Sequence, residues 1–128
     1  MKKENQNNIE IYEVIPTDKF NKDVTYYINK KKYTKLPQDI KHILQDLKRG
    51  IFSGDKIEGL NLSSNTFTYK VRAKNSNTNQ GTSNGYRMIY YVKHENKIVF
   101  LVTIYSKKDE NNIPTDNEII HIINEYCN

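Results

Sequence analysis

The sequence predicts an α+β fold: a small, antiparallel-rich sheet of about four strands packed against two N-terminal helices and a C-terminal helix, in the order β-α-α-β-β-β-α. Three observations predict it. Two early stretches repeat apolar residues at helical spacing, with Phe20, Val24, Tyr27 and Ile28 in the first and Leu36, Ile40, Ile43, Leu44 and Leu47 in the second. Three later runs, 67–74, 86–93 and 97–107, have the length and β-branched or aromatic content of strands. The chain then returns to helical spacing with Ile119, Ile122, Ile123 and Tyr126.

The elements follow in order. Residues 1–8 are polar and read as a loose N-terminus. A first strand is expected over 9–15, where Ile9, Ile11 and Ile15 alternate imperfectly with Glu10 and Glu13, and Pro16 ends it. Thr17 and Asp18 open the first helix, which runs to about Lys31. Pro37 fits the first turn of the second helix, and Lys48, Arg49 and Gly50 suit its C-terminal end. Residues 51–65 form a connector rich in Gly, Ser and Asn.

In the run 67–74, Phe67, Tyr69, Val71 and Ala73 alternate with Thr68, Lys70, Arg72 and Lys74. Residues 75–84, NSNTNQGTSN, are almost without apolar content and are expected to form a mobile loop. The runs 86–93 and 97–107 are joined by His94, Glu95 and Asn96, a turn of hairpin length. Thr115 followed three residues later by Glu118 is a capping box for the last helix. No repeat or second domain is visible, so residues 1–128 read as one domain.

Hydrophobic residues make up only 36% of the chain, and mean hydropathy is −0.84. One thin core is therefore expected, with helices on one side of the sheet. The formal net charge of +5 favours an anionic partner, nucleic acid or an acidic protein, over a cationic one. A single cysteine, Cys127, excludes an internal disulfide and fits a reducing compartment. The start of the chain lacks an apolar signal region, and no apolar run approaches the roughly 18 residues of a membrane span. A cytoplasmic protein with no membrane partner is expected.

Strand parity then sorts the chemistry. Lys70, Arg72 and Lys74 share one parity of the first of the three runs. In the second, Tyr86, Met88, Tyr90 and Val92 read as the core set, which leaves Arg87, Ile89, Tyr91 and Lys93 on the other face. In the third, Ile98, Phe100, Val102 and Ile104 form the apolar set, opposite Thr103, Tyr105 and Lys107. One exposed face can thus carry Lys70, Arg72, Arg87, Tyr105 and Lys107. A lysine-rich sheet surface often does no more than keep a domain soluble. Here, arginine without an acidic neighbour on that face, tyrosines among the cations and the adjacent loop GTSNG suit phosphate binding and base stacking. The glycines would let the backbone approach a phosphate, and the strand would hold Arg87 beside it.

Other chemistries fit poorly. The chain has no GxxxxGK[ST] phosphate loop. His42, His94 and His121 lack metal-ligand spacing, so no metal is expected. Cys127 has no evident base, and GTSNG precedes a strand instead of turning from strand to helix, unlike a nucleophile elbow. Asp109, Glu110 and Asp116 read as solvated or capping.

The run TYKVRAKN…QGTSNGYRMIYYVKHENKIVFLVTIYSKKDENNIP resembles toxins of the RelE/ParE superfamily, with the HigB-like branch nearest. That branch has a Y-K-x-R strand, a Gly-rich Y-R strand start, a Y-Y run and an I-Y-S-K strand end in this order. The resemblance extends back through GDKIEGL and the two helices, over about residues 9–126. It implies the toxin of a type II toxin–antitoxin system, partnered by a cognate antitoxin. It further implies a ribosome-dependent endoribonuclease that cleaves mRNA in the ribosomal A site by attack of a 2′-hydroxyl on the adjacent phosphate, without metal or other cofactor. The matched catalytic positions are Lys70, Arg72, Arg87 and Lys107. Lys74, Tyr91, Tyr105 and Lys108 are the expected RNA-binding neighbours. At two places the chain departs from the pattern. No tyrosine lies between Tyr105 and Tyr126, and Thr82 stands where the branch often has lysine. Two other readings are implied by the same fold: a ParE-like, non-enzymatic inhibitor of DNA gyrase, or a weakly active toxin whose main property is antitoxin binding.

Overall fold

The computed structural model describes residues 11–128. The expected loose segment 1–8, and Ile9 and Glu10 of the expected first strand, lie outside the described residues. The elements are β1 (Glu13–Pro16), α1 (Asp18–Asn29), α2 (Leu36–Lys48), β2 (Asp55–Lys56), β3 (Thr66–Ala73), β4 (Tyr86–Lys93), β5 (Ile98–Ser106) and α3 (Asp116–Tyr126). They form one five-stranded mixed sheet in the order β1-β5-β4-β3-β2. The α+β class and the order of helices are those expected. The added strand is β2, a two-residue piece antiparallel to β3 inside the expected connector.

β1 runs parallel to β5, and the residues leading into it depart from the expected alternation. Ile11 is 70% exposed, whereas Tyr12 is 4% exposed and fills the core. Pro16 is the last residue of the strand, facing Leu101, where no further ladder bond from its own nitrogen is needed. Beyond Pro16 the outer edge of β5 would be bare, and α1 closes it with side chains. Thr17 donates its backbone N–H to Leu101 O at 3.0 Å and its hydroxyl to Val102 O at 2.9 Å. Asp23 accepts from Ile104 N–H at 3.1 Å and from the Thr103 hydroxyl. Tyr27 Oη accepts from Ser106 N–H at 2.9 Å. An exposed strand edge invites pairing with other chains, and these three residues remove the opportunity.

The sheet is covered on both faces, which corrects the expectation of a single one-sided core. Against one face, α1 and α2 bury Phe20, Tyr27, Leu36, Ile40, Ile43 and Leu47 on Tyr86, Met88, Tyr90 and Val92. Against the other, α3 and the segment 57–62 bury Ile119, Ile122, Ile123 and Leu60 on Ile89, Tyr91, Val102 and Tyr105. β4, the middle strand, is accordingly apolar on both parities apart from Arg87 and Lys93.

A bulge explains why parity fails along β5. Its register with β4 steps from Ile89↔Thr103 to Tyr90↔Leu101, leaving Val102 without a partner. Ile104 therefore joins Val99 and Leu101 in the α1/α2 core, while Phe100 and Val102 pack on the α3 side with Tyr105. The expected apolar set of Phe100, Val102 and Ile104 is split between faces.

The segment expected to be a mobile loop is tied down in its first half. Asn75 is buried and bridges to Gln80, with Asn75 N–H donating to Gln80 O at 2.9 Å. Asp39, a buried carboxylate in the first turn of α2, accepts from Ser76 N–H at 2.8 Å and from the Ser76 hydroxyl. Lys35 N–H donates to Asn77 Oδ1 at 2.8 Å. Hydrogen bonds to α2 replace the apolar contacts that the segment's composition lacks.

Candidate active site

Three strands and one turn bring the cations together. Arg72 on β3 lies directly opposite Arg87 on β4, which lies opposite Tyr105 on β5. Lys70 is two residues back along β3 on the same face, and Asp55 on β2 is its cross-strand partner. Lys107 follows β5, and its backbone N–H donates to Gly85 O at 2.9 Å, fixing the end of β5 to the start of β4. These residues and Ile113 line one cleft of about 370 Å³. All four matched positions, Lys70, Arg72, Arg87 and Lys107, are thus in one place.

Two close approaches hold that geometry. Gly54, at φ +101°, sits so near β3 that a Cβ would lie 2.5 Å from Lys70 O. This lets β2 reach the sheet and places Asp55 on the cleft face. At Gly85 a Cβ would lie 2.2 Å from Ala73 O, so the start of β4 can approach β3 only with glycine there.

Arg87 is only 7% exposed. Its Nη1 donates to Thr82 O at 3.0 Å and to Tyr86 O at 3.2 Å, and its Nη2 to Ser83 O at 2.9 Å. The Gly/Ser loop was expected to approach a phosphate with its backbone; instead its carbonyls grip the arginine and aim it. Burial, followed by the neighbouring Arg72 charge, pushes the Arg87 pKa down, with Tyr105 acting the other way. The guanidinium still stays charged at neutral pH. Like charges directly opposite one another cost stability. Among the described residues the one ion pair is Lys19–Asp23, away from the cleft, so none of the four cleft cations has a paired carboxylate. That arrangement suits a bound anion.

The remaining expected residues fall elsewhere. Tyr91 is 3% exposed and Tyr105 4%, both packed in the α3 core. Neither ring presents a free face, which corrects the expectation that they stack on bases. Tyr105 still forms part of the cleft wall, and burial raises its pKa, partly offset by Arg87. Lys74 and Lys108 are exposed but do not line the cleft. Asp55 and Ile113 line it and were not anticipated. A two-residue strand carries no periodicity, so nothing in the sequence marks Asp55.

Cys127 is buried, with its thiol pushed up to about 12 by desolvation, the Lys93 charge opposing. His42 and His121 are exposed, and His94 Nδ1 lies 3.0 Å from Tyr12 Oη. Among the described residues no group of three or more His, Cys, Asp or Glu side chains is placed to hold a metal ion. No helix among them is long and apolar enough to cross a membrane.

No protein-family model and no curated protein matches the chain. Among solved structures it is similar to the archaeal RelE–RelB complex from Pyrococcus horikoshii OT3, at 21% identity and a TM-score of 0.45, covering 77% of this chain and 98% of that one. It is also similar to a mutant of the E. coli toxin RelE in the free state, at 19% identity and a TM-score of 0.44, covering 88% of this chain and 98% of that one.

Proposed function

We propose that this chain is the toxin of a type II toxin–antitoxin pair, a cytoplasmic, ribosome-dependent endoribonuclease that halts translation by cutting mRNA. The observation that carries the reading is the cleft itself. Four cations from β3, β4 and the end of β5 converge without ion pairs, facing a single carboxylate. The sequence motifs that resemble the RelE/ParE toxins supply these same four cations.

In this reading the substrate phosphate lies against Arg87 and Lys107. Lys70 and Arg72 hold the ribose so that its 2′-oxygen faces phosphorus. Asp55, the one carboxylate in the cleft wall, accepts the 2′-hydroxyl proton. The O2′–P bond forms and the P–O5′ bond breaks, with Lys107 giving a proton to the leaving 5′-oxygen. The products are a 2′,3′-cyclic phosphate and a 5′-hydroxyl. The four side-chain cations supply the charge stabilisation, so the reaction needs no metal ion. Arg87 is held by Thr82 and Ser83 carbonyls before substrate arrives, so little reorganisation is left for the transition state. Removing one such preorganised donor costs about 10²–10³ in kcat.

The test is primer extension on an mRNA translated in a purified system, with wild-type protein or Arg87→Ala added. The reading expects cuts that require ribosomes, fall in register with codons and vanish in the variant. Intact mRNA, together with inhibition of gyrase in a supercoiling assay, would replace it with the ParE-like alternative.

A further inference from the structure

A second cleft, of about 510 Å³, lies between α1 and α3 and is larger than the cationic one. The reaction just described makes no use of it. The two share one lining residue, the exposed Ile113. Its walls bring together lysine from α1 (Lys19, Lys22), amides (Asn111, Asn117), an imidazole (His121) and the exposed ring of Tyr126. Glu118 is its one acid, and that carboxylate is committed to the capping box, accepting from Thr115 N–H at 2.8 Å. Lys19 is paired with Asp23, which leaves Lys22 as the lysine of this wall outside any ion pair among the described residues.

Amides read base edges, exposed aromatic rings stack bases and lysines meet phosphates; together these are the elements of single-stranded RNA recognition. Tyr91 and Tyr105 are buried, whereas Tyr126 is 42% exposed. We propose that this groove receives the single-stranded mRNA that runs on from the cationic cleft, passing over Ile113 with a base stacked on Tyr126 and a phosphate at Lys22. The inference rests on the endoribonuclease reading and adds a flanking-nucleotide subsite to it.

A benzophenone-bearing residue placed at position 126 tests it directly. The protein is bound to ribosomes programmed with an mRNA made uncleavable by a 2′-deoxy substitution at the cut nucleotide, and irradiated. The expected result is a cross-link to the mRNA beside the cleaved codon, absent when the photoreactive residue replaces Lys41 on α2. Lys22→Glu and Tyr126→Ala are each expected to lower kcat/KM roughly tenfold on cleavable mRNA with melting temperature unchanged. Lys41→Glu, with the same change in charge, is expected to leave kcat/KM as it is. Cross-links only to ribosomal RNA, ribosomal protein or a bound antitoxin, with kcat/KM unmoved in both groove variants, would overturn the subsite while leaving the endoribonuclease reading in place. Failure of the wild-type protein to cut any mRNA would overturn both.

Discussion

Gly85→Ala is the sharpest test of how the site is built. A methyl group there meets backbone on three sides: Ala73 O at 2.2 Å, Gly81 O at 2.9 Å and Asn75 N at 3.0 Å. Ordinary contact begins near 3.4 Å, so the nearest atom is about 1.2 Å too close, and no side chain can rotate away. The relief available is to separate the start of β4 from the end of β3, at the pairs Ala73↔Tyr86 and Arg72↔Arg87. Overpacking of this kind costs about 1–3 kcal/mol. Weakening one ladder hydrogen bond adds about 1 kcal/mol. A total near 3 kcal/mol corresponds to a fall in Tm of roughly 10 °C for a chain of this length. The assay is thermal unfolding by circular dichroism, with Gly81→Ala as the control. A Cβ at Gly81 meets nothing within 4 Å, and Gly81→Ala should change stability by less than about 1 kcal/mol. The same shift displaces Arg87 from Arg72 and Tyr105, so the proposed RNA cleavage should fall further in Gly85→Ala than the folded fraction does. A Gly85→Ala protein melting within about 2 °C of wild type would show that β4 tolerates a side chain at this position.

Three further predictions concern buried and half-buried polar groups. Asp39→Ala should destabilise by about 2–4 kcal/mol in urea unfolding and speed exchange of the Ser76 amide, since two hydrogen bonds to a buried carboxylate are lost; unchanged exchange would mean that Asp39 does not anchor the segment. Asp23→Ala should cost about 2–3 kcal/mol and promote aggregation, because Ile104 N–H and the Thr103 hydroxyl lose their acceptor, and light scattering together with urea unfolding checks both effects. Alkaline pH should unfold the protein. Burial raises Tyr27 from 10.0 to about 12 and Cys127 from 9.0 to about 12, and it also raises Tyr86 and Tyr90. The unfolded chain therefore releases these protons first. Their contribution is intact below pH 9 and is lost as pH climbs toward 12, measurable as falling urea midpoints. Tyr27→Phe should flatten that fall, and an unchanged midpoint from pH 8 to 11 would contradict the burial argument.

Much of this was legible in the residues. Clean alternation in β3, the Y-R start of β4 and the shared parity of Tyr105 and Lys107 in the third run put Lys70, Arg72, Arg87 and Lys107 on one face, and they line one cleft. The capping box on α3 and the apolar stripe of α2 were local signals and formed as expected. What failed were properties decided by tertiary pairing. The bulge at Val102 reversed parity halfway along β5, and alternation alone cannot announce a skipped partner. The two-sided core had a visible signal: YRMIYYV is apolar on both parities beyond Arg87, as a central strand is, and that pattern implied a cover over Tyr91. Asp39 also had one, since it shares the helical stripe of Leu36 and Ile43, where an acid must find a partner. Asp55 had none, because its place depends on Gly54 tucking under the Lys70 carbonyl.

The endoribonuclease proposal requires that the cationic cleft cut RNA through the 2′-hydroxyl. The most direct measurement replaces that hydroxyl by hydrogen at the one cleaved nucleotide of an mRNA on the ribosome, and separately determines the ends produced from unmodified mRNA. Attack by the 2′-oxygen leaves a 2′,3′-cyclic phosphate and a 5′-hydroxyl on the products and gives no cutting at the substituted position. Cleavage that persists at the 2′-deoxy nucleotide, or products ending in a 3′-hydroxyl and a 5′-phosphate, would contradict it.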